Sequence, residues 1–180
     1  STPVTGNLWL AAIDDMVAQV GIKAEEAYES DWQASSYAGK QWGLPQTVGG
    51  SACLLFFNSD AFAEAGLDAS KPPETWADTL AAAKKLLQKE GNDIKRLGLL
   101  TGVSSWSWLN FLAENEAEWL SADGREVKMD NANAVEALQW IVDVTDAQGG
   151  AESVAAFSSA GGDADPFMSG RAAMTYNGVW

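Results

Sequence analysis

No histidine occurs in this sequence, and Cys53 is its one thiol. A Ser or Cys nucleophile therefore lacks an imidazole base and a zinc ion an imidazole ligand, leaving carboxylates, hydroxyls, amines and phenols for any reaction. Paired carboxylates acting on a glycosidic bond are a covalent chemistry that needs no histidine. Asp163 and Asp165 are a candidate pair, although their segment reads as a loop and a helix cap. A second set of residues suits recognition without reaction. Trp106 stands beside Ser104 and Ser105, Trp180 follows Asn177 and Gly178, and Gln46, Thr47, Gly49 and Ser51 share one polar stretch. An indole offers a flat apolar face to the C–H surface of a sugar ring, and neighbouring hydroxyls and amides give directional hydrogen bonds. Each residue also has a plainer reading: the tryptophans as core, Ser104 and Ser105 as helix caps, Gly49 and Gly50 as hinge.

The elements that must position these residues follow from periodicity. Ile13, Met16, Val17 and Val20 form one helical stripe that stops at Gly21. A strand is expected over Gln41–Leu44, broken at Pro45, then a polar crossing to Ser51 and a second strand over Ala52–Phe57. The run Cys53–Phe57 is apolar throughout, as in a strand covered on both faces. Asn58, Ser59 or Asp60 caps a short helix that Gly66 ends.

Thr75–Asp78 reads as a capping box for a helix with Trp76, Leu80, Ala83 and Leu87 on its core face, running to Gly91 with Lys84, Lys85 and Lys89 in its last turns. A strand follows at Arg96–Leu100, a loop at Thr101–Ser105, and a helix over Trp106–Leu120. Asp130 or Asn131 caps a helix to about Ala147 that buries Ala134, Leu138, Ile141, Val135 and Val142. Residues 151–164 read as a mobile polar segment, and Arg171–Tyr176 as the last strand. Strands separated by helices give an α/β protein with a parallel or mixed sheet, whose ligands sit beyond the carboxyl ends of strands. The loops after Leu44, Leu100 and Tyr176 are the ones that satisfy this rule.

At GLP (43–45), the apolar run ending in FFN (56–58), DAFAEAGLD (60–68), KPPETW (71–76) and FMSGRAAMTYNGVW (167–180), the chain resembles the extracellular solute-binding proteins of ABC importers, in the group that takes up sugars and glycerol phosphates. The resemblance implies a periplasmic-binding-protein-like type II lobe, a mixed sheet flanked by helices, with part of a second lobe. It divides the chain into residues 1–44 as partial first lobe, 45–51 as inter-lobe crossing, and 52–180 as second lobe, incomplete at its C-terminal end. It places an aromatic ring, here Trp180, against the ligand. Trp106, Ser104, Ser105, Gly49, Ser51, Asn177 and Gly178 complete the expected ligand set, with no catalytic residue, metal or cofactor. The implied partners are a small-molecule carbohydrate and membrane permease subunits, with the binding protein a monomer. The implied location is extracytoplasmic, as a periplasmic or cell-surface lipoprotein whose export signal lies outside this sequence.

Charge narrows the ligand. The formal net charge of −14 opposes nucleic acid and anionic lipid. A phosphorylated ligand wants converging arginines, yet Arg96, Arg125 and Arg171 all lie outside the named loops, so a neutral sugar is favoured over glycerol phosphate. Ferric-ion binding through paired tyrosines is disfavoured because Tyr176 stands alone before Asn177. The alternative functions are a glycosidase fragment and a structural acidic domain.

Overall fold

The computed structural model describes residues 10–45, 53–101, 105–162 and 164–178, with the side chains of residues 105–107 outside that description. It divides into two compact units, residues 1–50 with 122–125 and residues 51–121 with 126–180.

In the first unit, α1 (Asp14–Val20) ends at Gly21, in the left-handed region at φ 78°. A 3-10 turn (Ala24–Glu26) and α2 (Glu29–Ala34) lead to a hairpin of β1 (Ser36–Tyr37) and β2 (Lys40–Gln41). Its two-residue loop, Ala38–Gly39, has φ of 50° and 73°, the left-handed pair that suits the twist of a tight hairpin. The Gln41 carbonyl accepts from Ile13 N at 2.8 Å, and its amide donates to Asp14 Oδ1 at 3.2 Å, fixing the hairpin to the start of α1. The strand expected over Gln41–Leu44 is therefore shorter than the sequence suggests. Its partner begins at Ser36, the Gln41 side chain turns to donate to Gly43 O at 2.7 Å, and the following proline has no N–H to offer.

The second unit is built on a mixed four-stranded sheet. Its strands are β3 (Leu54–Phe57), β4 (Gln88–Glu90), β5 (Asp93–Leu100) and β6 (Ala172–Asn177), in the order β3-β6-β5-β4. β6 is antiparallel to β3, pairing Leu54 with Asn177, and parallel to β5, pairing Leu97 with Ala172. α3 (Ser59–Glu64) is capped by Asn58, whose Oδ1 accepts from Asp60 N and Ala61 N at 2.9 and 3.0 Å. α4 (Trp76–Leu86) starts with the anticipated capping pair, Thr75 and Asp78.

α4 stops at Leu86. Leu87 turns extended, and Gln88–Glu90 pair with Asp93–Arg96 around Gly91 (φ 60°) as the β4–β5 hairpin, so Lys89 lies on a strand and β5 is longer than Arg96–Leu100. Propensity over LLQKE favours helix; the pairing available to Ile94 and Arg96 overrides it.

α4 packs tightly on β5. A Cβ at Gly98 would lie 1.9 Å from the Ala83 carbonyl oxygen, so glycine is what the approach requires. Successive strand residues face opposite ways, and Leu97 packs instead with Phe157 of α7 (Gly150–Ala160). Residues 151–164, read as mobile from composition, thus contain a regular helix held by one buried aromatic. Arg171 closes its C-terminus: Nη2 donates to Phe157 O at 2.7 Å, and the guanidinium lies 4.2 Å from the Phe157 ring centroid.

α5 (Ser105–Glu114) is shorter than expected, ending before Glu116, whose φ is 52°. α6 (Ala132–Ala147) is capped by Asn131 Oδ1, which accepts from Ala134 N at 3.0 Å. α6 buries Ala134 and Ile141 as expected, together with Ala137, Trp140 and Val144, while Val135, Leu138 and Val142 are exposed, which rotates the face assigned from sequence. Alanines let this helix approach closely, and its largest side chain, Trp140, fixes the inward direction. At its end Gln148, 1% exposed, uses its side-chain amide like a strand: Nε2 donates to Leu99 O and Oε1 accepts from Leu99 N, both at 2.9 Å.

Candidate ligand edge of the sheet

Because β5 and β6 are parallel, both leave the sheet at the same edge, at Thr101 and Gly178. Because β3 is antiparallel to β6, it enters at that edge, with Cys53 preceding the Leu54–Asn177 pair. α5 begins at Ser105, shortly after β5 exits. Sheet topology therefore brings the flanks of three separate sequence segments to one place, the carboxyl edge where ligands of α/β sheets sit.

Of the residues singled out from sequence, Gly49, Ser51, Ser104 and Trp180 lie outside the described residues, as do Gln46, Thr47 and Asp163. Ser105 and Trp106 open α5, and their side chains are outside the description. Asn177 and Gly178 are at the edge: Asn177 is half-buried, Gly178 is buried, and Asn177 Oδ1 accepts from Gly178 N at 2.9 Å. Leu44 ends no strand of this sheet, so the loop after it does not join the edge by the strand rule. Asp165 is a helix-type cap, its Oδ1 accepting from Phe167 N and Met168 N at 2.9 Å each. That leaves the proposed carboxylate pair without a second described member.

Behind the edge lies a group that sequence reading did not assemble. The Tyr176 ring meets Phe111 of α5 edge-on (5.1 Å between centroids, 90°) and Trp140 of α6 in the same manner (6.0 Å, 82°). Trp140 stacks on Trp76 at 5.1 Å, and Trp76 Nε1 donates to Glu114 Oε2 at 3.0 Å. Trp76 was legible as core; Tyr176 was legible only as a strand residue, because its partners are more than 30 positions away in sequence.

The electrostatics of this group are those of a dry region with one acid beside it. Burial pushes the Tyr176 phenol up to about 12, against a hydrogen bond with Thr79 and with added repulsion from Glu114. Burial and then Glu114 push the Cys53 thiol up to about 11, so it stays a neutral, unreactive thiol near pH 7. Among the described residues no group of three or more His, Cys, Asp or Glu is arranged to hold a metal ion. Two arginines are engaged elsewhere: Arg96 with Glu64 at 2.7 Å, and Arg171 with the end of α7.

The profile of bacterial extracellular solute-binding proteins matches residues 5–180. The mannotriose-bound form of the protein CpMnBP1 is 27% identical and superposes with a TM-score of 0.80, covering 95% of this chain and 44% of that one. The ABC substrate-binding protein Lmo0181 from Listeria monocytogenes, in complex with cycloalternan, is 26% identical with a TM-score of 0.78, over 95% and 43%. The sn-glycerol-3-phosphate-binding periplasmic protein UgpB of Shigella flexneri is 34% identical over 104 residues, which is 56% of this chain and 23% of that protein. The chain thus spans less than half the length of the solved proteins it matches. Their fold is the type II periplasmic-binding-protein architecture, of which the mixed sheet flanked by helices is the part seen here.

Proposed function

We propose, from the premise that this chain belongs to the bacterial extracellular solute-binding protein family, that it is part of the substrate-binding component of an ABC importer. In this reading it holds a neutral sugar or oligosaccharide in a cleft between lobes and delivers it to membrane permease subunits. The family places it outside the cytoplasm and among binding proteins; a periplasmic or lipid-anchored form, acting as a monomer, is part of the proposal. Residues 1–44 contribute to the first lobe, 45–51 make the crossing, and 52–180 belong to the second lobe.

The observation that supports the reading is the sheet edge, where β3 enters after Cys53 and β5 and β6 leave at Thr101 and Gly178; the residues assigned to the ligand from sequence adjoin these three positions along the chain. Trp180 and Trp106 act as stacking platforms; Ser104, Ser105, Asn177 and the backbone at Gly49, Ser51 and Gly178 supply the polar contacts. The engagement of Arg96 and Arg171 away from this edge favours an uncharged ligand over a phosphorylated one. Ligand binding stabilises the closed arrangement of the lobes because contacts from both are made only there.

The test is a tryptophan-fluorescence titration of the full-length protein with mannobiose, maltose and sn-glycerol 3-phosphate. A saturable response to a sugar, recovered chemically intact and weakened about tenfold or more by Trp180→Ala, is expected. Preference for the phosphate ester, or unchanged affinity in that variant, would overturn the assignment.

A further inference from the structure

We infer that Tyr176 is a positioning residue for the ligand edge, its ring clamping the exit of β6 onto α5 and so setting the spacing between two segments that border the edge. Tyr176 is the last residue before Asn177 and Gly178, and it pairs across the sheet with Leu55. Its ring is gripped from two helices: Phe111, fully buried on α5, and Trp140, 7% exposed on α6, both present edge-to-face geometry to it. Phe111 also contacts Trp140 at 4.9 Å and 63°, closing a triangle of three rings. Edge-to-face pairs add attraction beyond area burial and, unlike aliphatic packing, prefer particular angles. A triangle of such contacts resists rotation as well as separation. Phe111 lies less than two helical turns from Ser105, so fixing Phe111 fixes the start of α5. On its other side Asn177 pairs with Leu54 of β3, and within the exit itself Asn177 Oδ1 accepts from Gly178 N.

The effect on sugar affinity rests on the carbohydrate reading above; the clamp itself does not. The decisive experiment is therefore ligand-free amide hydrogen exchange on the full-length protein, carrying Tyr176→Leu, Tyr176→Phe, Phe111→Leu or, as a control, Leu86→Ala in the same core but away from the edge. Tyr176→Leu and Phe111→Leu are each expected to raise exchange about tenfold or more at both Asn177–Gly178 and residues 108–112. Tyr176→Phe, which keeps the ring, stays within about threefold, and Leu86→Ala, which lowers the stability of the whole core, raises exchange evenly across it without singling out these two segments. Phe111→Leu keeps the test open if Tyr176→Leu does not fold. Acceleration at only one segment, or acceleration in Tyr176→Leu and Phe111→Leu spread as evenly over the core as in Leu86→Ala, would reduce Tyr176 to ordinary core and overturn the inference. Titration with mannobiose separates the two claims: failure of the parent protein to bind any sugar counts against the ligand class, whereas the exchange pattern alone decides the clamp.

Discussion

The two units of this chain bury apolar surface very differently. In the second, Phe62, Leu86, Leu99, Phe111, Leu112, Ile141 and Met174 are each no more than 1% exposed. In the first, neither α1 nor α2 buries a residue, and Gln41 is the one buried residue among those described. Met16 and Val20 of the α1 stripe are 57% and 73% exposed. A helical apolar stripe states which face a helix would bury; it does not supply the surface that covers it. The second unit has its own core and should carry the cooperative stability, whereas the first is held by a hairpin and a few backbone bonds.

That contrast can be broken most severely at Gly98. Gly98→Ala drives a methyl into the Ala83 carbonyl, so α4 must lift from β5; a loss of about 3 kcal/mol or more is expected in urea unfolding, and a loss under 1 kcal/mol would show the helix is not seated as described. Gln148→Leu leaves the Leu99 N–H and C=O buried without partners, and about 2–3 kcal/mol should go by the same measurement. Asn131→Ala removes the cap of α6 and the bonds its Nδ2 donates to Glu118 O and Lys128 O at 2.6 Å each; the drop should be about 1–2 kcal/mol.

Alkaline pH probes the same core more gently. Tyr176 and Cys53 keep their protons in the folded chain beyond the pH at which the unfolded chain releases them, so stability is unaffected below about pH 9 and falls as pH rises toward 11 and 12. Tyr176→Phe should flatten the part of that decline above pH 10, as followed by chemical unfolding at stepped pH. The smallest effect belongs to the first unit. Met16→Ser and Val20→Ser should shift unfolding by no more than about 0.5 kcal/mol, and a loss above 1 kcal/mol would mean that stripe is covered in solution.

Local signals carried much of the fold. Thr75 was readable as a cap, and Asn58 and Asn131 as members of short candidate sets, because a cap needs only its own side chain and the next three amides. The alternation of strands and helices was enough for an α/β sheet, parallel or mixed; the observed sheet is mixed. Elements decided by distant partners were not readable: Lys89 belongs to a strand only because Ile94 returns beside it, and α7 forms where composition suggests a loose segment because Phe157 finds Leu97 and Ala172. The misplaced part of the α6 face, Val135, Leu138 and Val142, came from weighing hydrophobicity above size, since these are more apolar than Ala137, which faces inward. Asn177 and Gly178 were legible because they end a strand; the Tyr176–Phe111–Trp140 triangle was not, since two helices and a strand must be assembled before those rings meet.

Gln148 also governs how this sheet meets other molecules. β4 pairs with β5 no further than Arg96, so without the glutamine the end of β5, at Leu99, would present a bare donor and acceptor, a template for strand addition from a neighbouring chain. A single side-chain amide, borrowed from the end of a helix, blanks that template. Its loss should therefore register twice, once as a weaker fold and again as self-association that grows with protein concentration.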